Sequence, residues 1–156
     1  MPISLKVSLL TLFHVKQSFQ LNLAEGILSR RSILLSFTYY TLTMLLRILA
    51  GKLLGIVIFA EGKLVGQALI EVKEKEFHIT NVLVRKEYRD KGVGKMLIES
   101  VLSYLVERRK ARRVHLYVEE DNTVAMHLYQ EVGFRKEKSL HLMLYEPAYG
   151  DLPKNM

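Results

Sequence analysis

Three runs of β-forming residues follow one another between Leu53 and Val84, separated only by short charged turns. The first, LLGIVIFA over residues 53–60, is continuously apolar and rich in β-branched residues, as a strand buried on both faces should be. Glu61-Gly62-Lys63 makes a tight turn in which glycine supplies positive φ. Residues 64–73 return as a second strand, where Gly66 marks a bulge or a close backbone approach. After a second turn at 74–76, Phe77, Ile79, Asn81 and Leu83 alternate with His78, Thr80, Val82 and Val84. Connections this short join only antiparallel neighbours. The middle of the chain is therefore a β-meander and not a βαβ unit.

The flanks add helices and further strands. Residues 92–109 carry Val93, Leu97, Val101, Leu102 and Leu105 at helical spacing. RVHLYVE at 113–119 alternates like a strand, and residues 140–145 (LHLMLY) make the last one. Asn122 is a natural N-cap for a helix over 123–132 that Gly133 ends. On the N-terminal side, 33–50 reads as an apolar helix stopped by Gly51, and 3–12 as a first strand, while 13–31 gives mixed signals. At 156 residues this is one α/β (α+β) domain, with a mixed, mostly antiparallel sheet flanked by helices. It is expected to span 1–147 and to leave a loose tail at 148–156.

The meander runs straight into VLVRKEYRDKGVGKML, residues 82–97, where a basic turn and two glycines open a helix. The first N–H groups of a helix have no intrahelical acceptor and lie at its positive end, so such a turn suits an anion. A P-loop would need glycine where Arg89 stands and Ser or Thr where Met96 stands. A dinucleotide fingerprint would need a third glycine where Leu97 stands, and a βαβ context. Neither fits.

What does fit is Arg89-x-x-Gly92-x-Gly94 between an apolar strand and an amphipathic helix. Together with Asn122-Thr-Val-Ala125, then Leu128-Tyr129-x-x-x-Gly133-Phe134, this resembles the GNAT acetyltransferase superfamily over about residues 53–145. Residues 1–52 are poorly matched. The resemblance implies an acetyl-CoA-dependent N-acetyltransferase. Backbone amides over Arg89, Asp90, Lys91, Gly92, Val93, Gly94 and Lys95 would hold the cofactor pyrophosphate. Leu83 and Val84 would pair with the pantetheine arm, and an amide there would polarise the thioester carbonyl. Asn122 would contact the cofactor arm or a water, and Tyr129 would protonate the departing thiolate. An amine would attack directly with both substrates bound. For the proton that the amine must lose, His78 titrates in the useful range, with water as the alternative. No metal is implied, and the absence of cysteine excludes thiolate zinc sites.

Two other readings stay open: a non-catalytic CoA-binding module of the same fold, and a basic nucleic-acid binder. The net charge of +7 leaves room for the second, but no aromatic ladder interleaves the cluster Arg108, Arg109, Lys110, Arg112 and Arg113. Ser36, Tyr40, Thr43 and Arg47 put a polar stripe on the 33–50 helix opposite Leu34, Leu45 and Ile48. That argues against a membrane span and for a half-buried helix, so a cytoplasmic location is expected. The acceptor is expected to be a primary amine on a small molecule or a protein, not a nucleic acid or a membrane. A homodimer packed on that helix is the simpler expectation than an apolar acceptor groove.

Overall fold

In the computed structural model, residues 4–11, 14–26, 33–74, 76–137 and 142–145 are described. The expected tail and the first residues of the expected last strand lie outside them. Along the chain run β1 (Leu5–Leu9), α1 (Val15–Ala24), α2 (Ile33–Leu49), β2 (Leu53–Ala60), β3 (Lys63–Lys73) and β4 (Glu76–Val84). They are followed by α3 (Val93–Ser103), β5 (Val114–Tyr117), α4 (Thr123–Glu131), β6 (Arg135–Lys136) and β7 (Leu142–Tyr145). The described strands form one sheet in the order β1-β2-β3-β4-β5-β7-β6. Every neighbouring pair is antiparallel except β4–β5, which α3 connects in parallel. The mixed, mostly antiparallel sheet expected from the sequence is present, with helices on both faces.

One face packs on α3 and α4. Val93, Leu97, Ile98, Val101 and Leu102 of α3 are buried against Ile56, Ile58, Ala68, Ile70, Phe77 and Ile79 of the sheet. Each large aliphatic side chain buried in this way contributes about 1.5–3 kcal/mol. The helix expected over 92–109 ends its α-helical part at Ser103 and continues as a π turn from Tyr104 to Arg108, in which Leu105 stays buried. The other face packs on α1 and α2, around Leu10, Val15, Leu21, Met44, Leu53, Val57 and Leu69.

α1 lies where the sequence gives mixed signals, and its buried positions explain why. They are Val15, Ser18, Phe19, Leu21 and Asn22, so two polar residues interrupt the inward stripe. α2 corrects the expected orientation of its polar stripe. Tyr40 turns inward with Met44 and Ile48, whereas Tyr39, Leu42, Leu46 and Leu49 are exposed. The reason is a set of polar partners on α1 that takes the Tyr40 hydroxyl out of solvent. Arg47 stays outside and pairs with Glu71 on β3 at 2.9 Å. Among the described residues, no helix is long and apolar enough to cross a membrane.

The strand alternation expected for β4 breaks at its middle. Leu69 of β3 opposes Thr80, but Gln67 opposes Leu83, so Asn81 and Val82 share the single partner Ala68. This is a β-bulge, with Asn81 at φ 45°. Before it, Phe77 and Ile79 enter the α3 core. After it Val82 and Val84 do, while Leu83 turns to the α1/α2 face. A second irregularity, opposite Gly66 on β2, lies where that glycine had marked it.

Candidate functional site

β4 pairs with β5 only through Phe77, His78 and Ile79, opposite Val114, His115 and Leu116. Past the bulge the two strands part. The Arg85 amide donates to Val65 of β3 at 2.8 Å. Strand N–H groups alternate sides, so the Leu83 amide faces β3 as well, and the Val84 amide faces the side that β5 has left. The Val84 carbonyl accepts from Arg89 Nε at 3.0 Å.

The turn after β4 is pinned at several points. Arg85 Nε donates to the Leu64 carbonyl at 2.8 Å, and a 3₁₀ turn spans Lys86–Tyr88. Arg89 also forms an ion pair with Glu25 at the end of α1. Asp90 and Gly92 take left-handed backbone, at φ 56° and 76°. Gly92 is the N-cap of α3, where it can offer no side-chain cap, and the first amide to find an intrahelical carbonyl is Met96, bonded to Gly92. The amides of Val93, Gly94 and Lys95 thus have no acceptor within the helix. A Cβ on Gly92 would meet no atom within 4 Å, so space beside the turn is open. A Cβ on Gly94 would come within 3.1 Å of Leu128 Cδ1, so glycine here lets α4 approach α3. Val93 is buried in the core below.

The two lysines of the turn have partners within the chain. Lys91 Nζ donates to the Glu87 carbonyl at 2.7 Å and lies over the Tyr88 ring. Lys95 pairs with Glu131, which holds the carboxyl low and the ammonium pKa high.

α4 supplies Asn122 and Tyr129. Asn122 caps the helix by accepting from the Ala125 amide at 3.1 Å. Tyr129 is 7% exposed and meets Phe134 edge-on, in the cluster that also takes Val82 and Val84. Burial pushes its hydroxyl up to about 12, so the phenol stays protonated and can only donate or accept a hydrogen bond at neutral pH.

His78 lies on the opposite face of the sheet. Register aligns Glu71, His78 and His115 across β3, β4 and β5. The two imidazoles stack with centroids 4.6 Å apart, and Tyr117 meets His78 edge-on at 4.9 Å. Burial lowers the pKa of both histidines, and His115 lowers that of His78 further, so both rings are neutral near pH 7. A neutral imidazole can take a proton. The structure therefore brings Leu83, Val84, Arg89 to Lys95 and Tyr129 to one end of the sheet, while His78 looks out from the face that α1 and α2 partly cover.

Sequence reasoning missed His115 and Tyr117 in this row, and the structural anchors Arg85 and Glu25. The alternation of VHLYVE did carry a signal, because it puts His115 and Tyr117 on the face of His78. Among the described residues, no three His, Asp or Glu side chains gather where they could hold a metal ion.

The profile of the acetyltransferase (GNAT) family matches residues 29–134, which include the splayed strand, the glycine turn and both motifs. A spermine/spermidine N(1)-acetyltransferase of Bacillus subtilis is 29% identical over 86 residues, half of this chain and 57% of that protein. An N-alpha-acetyltransferase of Sulfurisphaera tokodaii is 32% identical over 66 residues, 42% of this chain and 40% of the relative. The chain thus spans 57% of the length of the first of these relatives and 40% of the second. The PaiA N-acetyltransferase of Thermoplasma acidophilum, solved with coenzyme A, superposes with a TM-score of 0.72 at 18% identity over 93% of this chain and all of that one. The ribosomal-protein-S18-alanine N-acetyltransferase of Escherichia coli gives 0.74 at 18% over 96% and 99%. At such identities the likeness is one of fold. The match over two motifs at their proper separation, on this fold, makes the chain a member of the acetyltransferase (GNAT) family.

Proposed function

We propose that the chain transfers an acetyl group from acetyl-CoA to a primary amine by direct attack within a ternary complex. The observation that carries this reading is the parting of β4 from β5 beside the Gly92–Lys95 helix start. It leaves a strand edge for an extended amide-bearing arm and, next to it, uncapped helix amides for a diphosphate. The open space beside Gly92 fits that group. Arg89, Asp90, Lys91, Gly92, Val93, Gly94 and Lys95 form the cradle, and Asn122 stands at the start of the neighbouring helix. Acetyl-CoA supplies the activated acyl group; the protein binds, orients and moves protons.

Of the two residues read at the strand edge, Val84 is the better donor to a thioester oxygen, because the Leu83 amide is turned to β3. Its donation stabilises charge that develops only during attack. Tyr129 acts on the leaving sulfur. A phenol near 12 opposes full transfer to a thiolate with a pKa near 8.5 by about 5 kcal/mol. Hydrogen-bond donation to the developing thiolate is therefore favoured over prior protonation, and the amine proton completes the thiol. His78, neutral and beside Glu71 and Tyr117, takes up through intervening water the proton that the attacking ammonium loses, because it lies six residues before Val84 along β4.

The Bacillus and Sulfurisphaera relatives bear the names spermine/spermidine N(1)-acetyltransferase and N-alpha-acetyltransferase, so we carry a polyamine and an α-amino group to this chain as candidate acceptors. The reading includes a cytoplasmic location and self-association through the exposed α2 residues Tyr39, Leu42, Leu46 and Leu49. An acceptor panel of spermine, spermidine, free amino acids and short peptides, followed by thiol release from acetyl-CoA, tests the function. Release that depends on one amine class supports it. Tight CoA binding with no release across the panel would leave a binding module instead.

A further inference from the structure

We propose that Asn81 is a positioning residue for acyl transfer, held by a partly buried ring of side-chain hydrogen bonds that reaches from α1 and α2 to the β4 bulge. The proposal rests on the acetyl-transfer reading above.

The ring has five members and closes on itself. Tyr40 OH and Ser18 Oγ lie 2.7 Å apart, and Ser18 Oγ donates to Gln67 Oε1 at 2.7 Å. Gln67 Nε2 donates to Asn81 Oδ1, and Asn81 Nδ2 donates to Asn22 Oδ1 at 2.9 Å. Asn22 Nδ2 then donates to Tyr40 OH at 3.1 Å and to the Ser18 carbonyl at 2.8 Å. With Ser18 donating to Gln67, the Tyr40 hydroxyl donates to Ser18, so every bond in the ring runs in one sense. Ser18 and Gln67 are fully buried, and Asn22 is 1% exposed. In such a low-dielectric setting each bond stiffens the next, and each missing partner leaves a stranded polar group.

Where the ring touches β4 decides its role. Asn81 is the bulge residue, and its φ of 45° is one that asparagine tolerates better than most side chains. The bulge shifts the strand by one residue, which sends Val82 and Val84 into the α3 core and turns the Val84 amide toward the gap beside β5. The Asn81 side chain is taken up by Gln67 and Asn22 and is assigned no contact with the reacting groups. It fixes the backbone that makes such contact, and it ties that backbone to α1 and α2, the helices covering the face that carries His78. The selection of polar over apolar residues at Ser18, Asn22 and Gln67 is then explained by geometry, since an aliphatic core would fill the same space without holding the bulge in register.

The test uses the full chain with acetyl-CoA and the best acceptor of the panel, and compares N81G, N22A, their double variant and wild type. Glycine keeps the left-handed backbone accessible and removes only the amide. Both single variants should lower kcat at least tenfold, with the acetyl-CoA dissociation constant within threefold of wild type. The double variant should lose no more than the worse single one, because both break the same ring. Variants that melt earlier yet keep kcat within twofold would reduce the ring to a packing device and overturn the proposal, as would losses that multiply. Should N81G fail to fold, S18A removes one link of the ring and should lower kcat severalfold in the same pattern; an unchanged kcat there would also overturn it. A wild type that transfers to no amine sinks the transferase reading and this proposal together. An active wild type with unimpaired variants sinks this proposal alone.

Discussion

The two faces of the sheet are built by different rules. Under α3 and α4 the core is apolar throughout, and what it presents at its edge is backbone: helix amides, a strand edge and glycines that keep side chains away. Under α1 and α2 the packing includes a closed polar ring, and the neighbouring strand surface carries Glu71, His78, His115 and Tyr117. Backbone donors recognise an anion and an amide arm without regard to side chains, so one face can serve any acetyl-CoA enzyme of this fold. Side chains that titrate and hydrogen-bond suit the face where a particular amine must be recognised and deprotonated. On the proposed function, the contrast would divide binding of the common substrate from handling of the specific one.

The largest effect should come from filling the backbone side. Gly92→Val puts a β-branched residue at left-handed φ and into the open space, and Gly94→Val drives a methyl into Leu128 at a cost of about 1–3 kcal/mol. Both should lower acetyl-CoA affinity by about a hundredfold or more in calorimetric titration, consistent with several lost amide contacts. Unchanged affinity would remove the cradle.

Tyr129→Phe should reduce kcat by about a hundredfold and leave acetyl-CoA affinity nearly as it was, within the range for proton-handling groups. Rates equal to wild type would free Tyr129 from any role at sulfur. A smaller effect, about tenfold in kcat/KM, is expected for His78→Gln, together with loss of an acidic limb. Burial sets the His78 pKa below 6.5, so the limb belongs on the acid side of that value. An unchanged pH profile would shift the proton to water.

The same histidines give the smallest signal, in stability. Their pKa values are lowered on folding, so the unfolded chain takes up protons first as pH falls. Their contribution is complete above about pH 6.5 and is lost as pH drops through the lowered folded values. The Tm should decline between pH 7.5 and 5, and His115→Gln should flatten that decline.

How much of this could be read from residues alone differs between the faces in the same way. Strands β2 to β4, the glycine turn and α4 follow from local pattern, because apolar periodicity, short turns and an Asn cap act within a few residues. Asn122 is a cap by its chemistry, and it caps. α1 was illegible because Ser18 and Asn22 occupy its inward stripe, and their burial makes sense only beside Gln67 and Asn81, 49 and 59 residues away. The bulge was hidden for a related reason: alternation through Asn81 looks unbroken until the partner strand shows two residues facing one. Tyr40 shares a polar stripe with Ser36, Thr43 and Arg47 in the sequence, and only distant partners on α1 turn it inward. Long-range polar contacts leave no periodic trace in sequence.

The cradle around Gly92 is less positive than the run RKEYRDKGVGK suggests. Arg89 is matched by Glu25 and Lys95 by Glu131, so two of its cations already have internal counter-ions. On the proposed function, a diphosphate arriving there would exchange partners with those carboxylates more than it would neutralise bare charge. Cofactor binding should accordingly depend only weakly on ionic strength, since neutral amide dipoles at short range are little affected by a Debye length of about 8–10 Å. The +7 net charge of the chain would then act chiefly on how fast polyanions arrive, and little on how long acetyl-CoA stays.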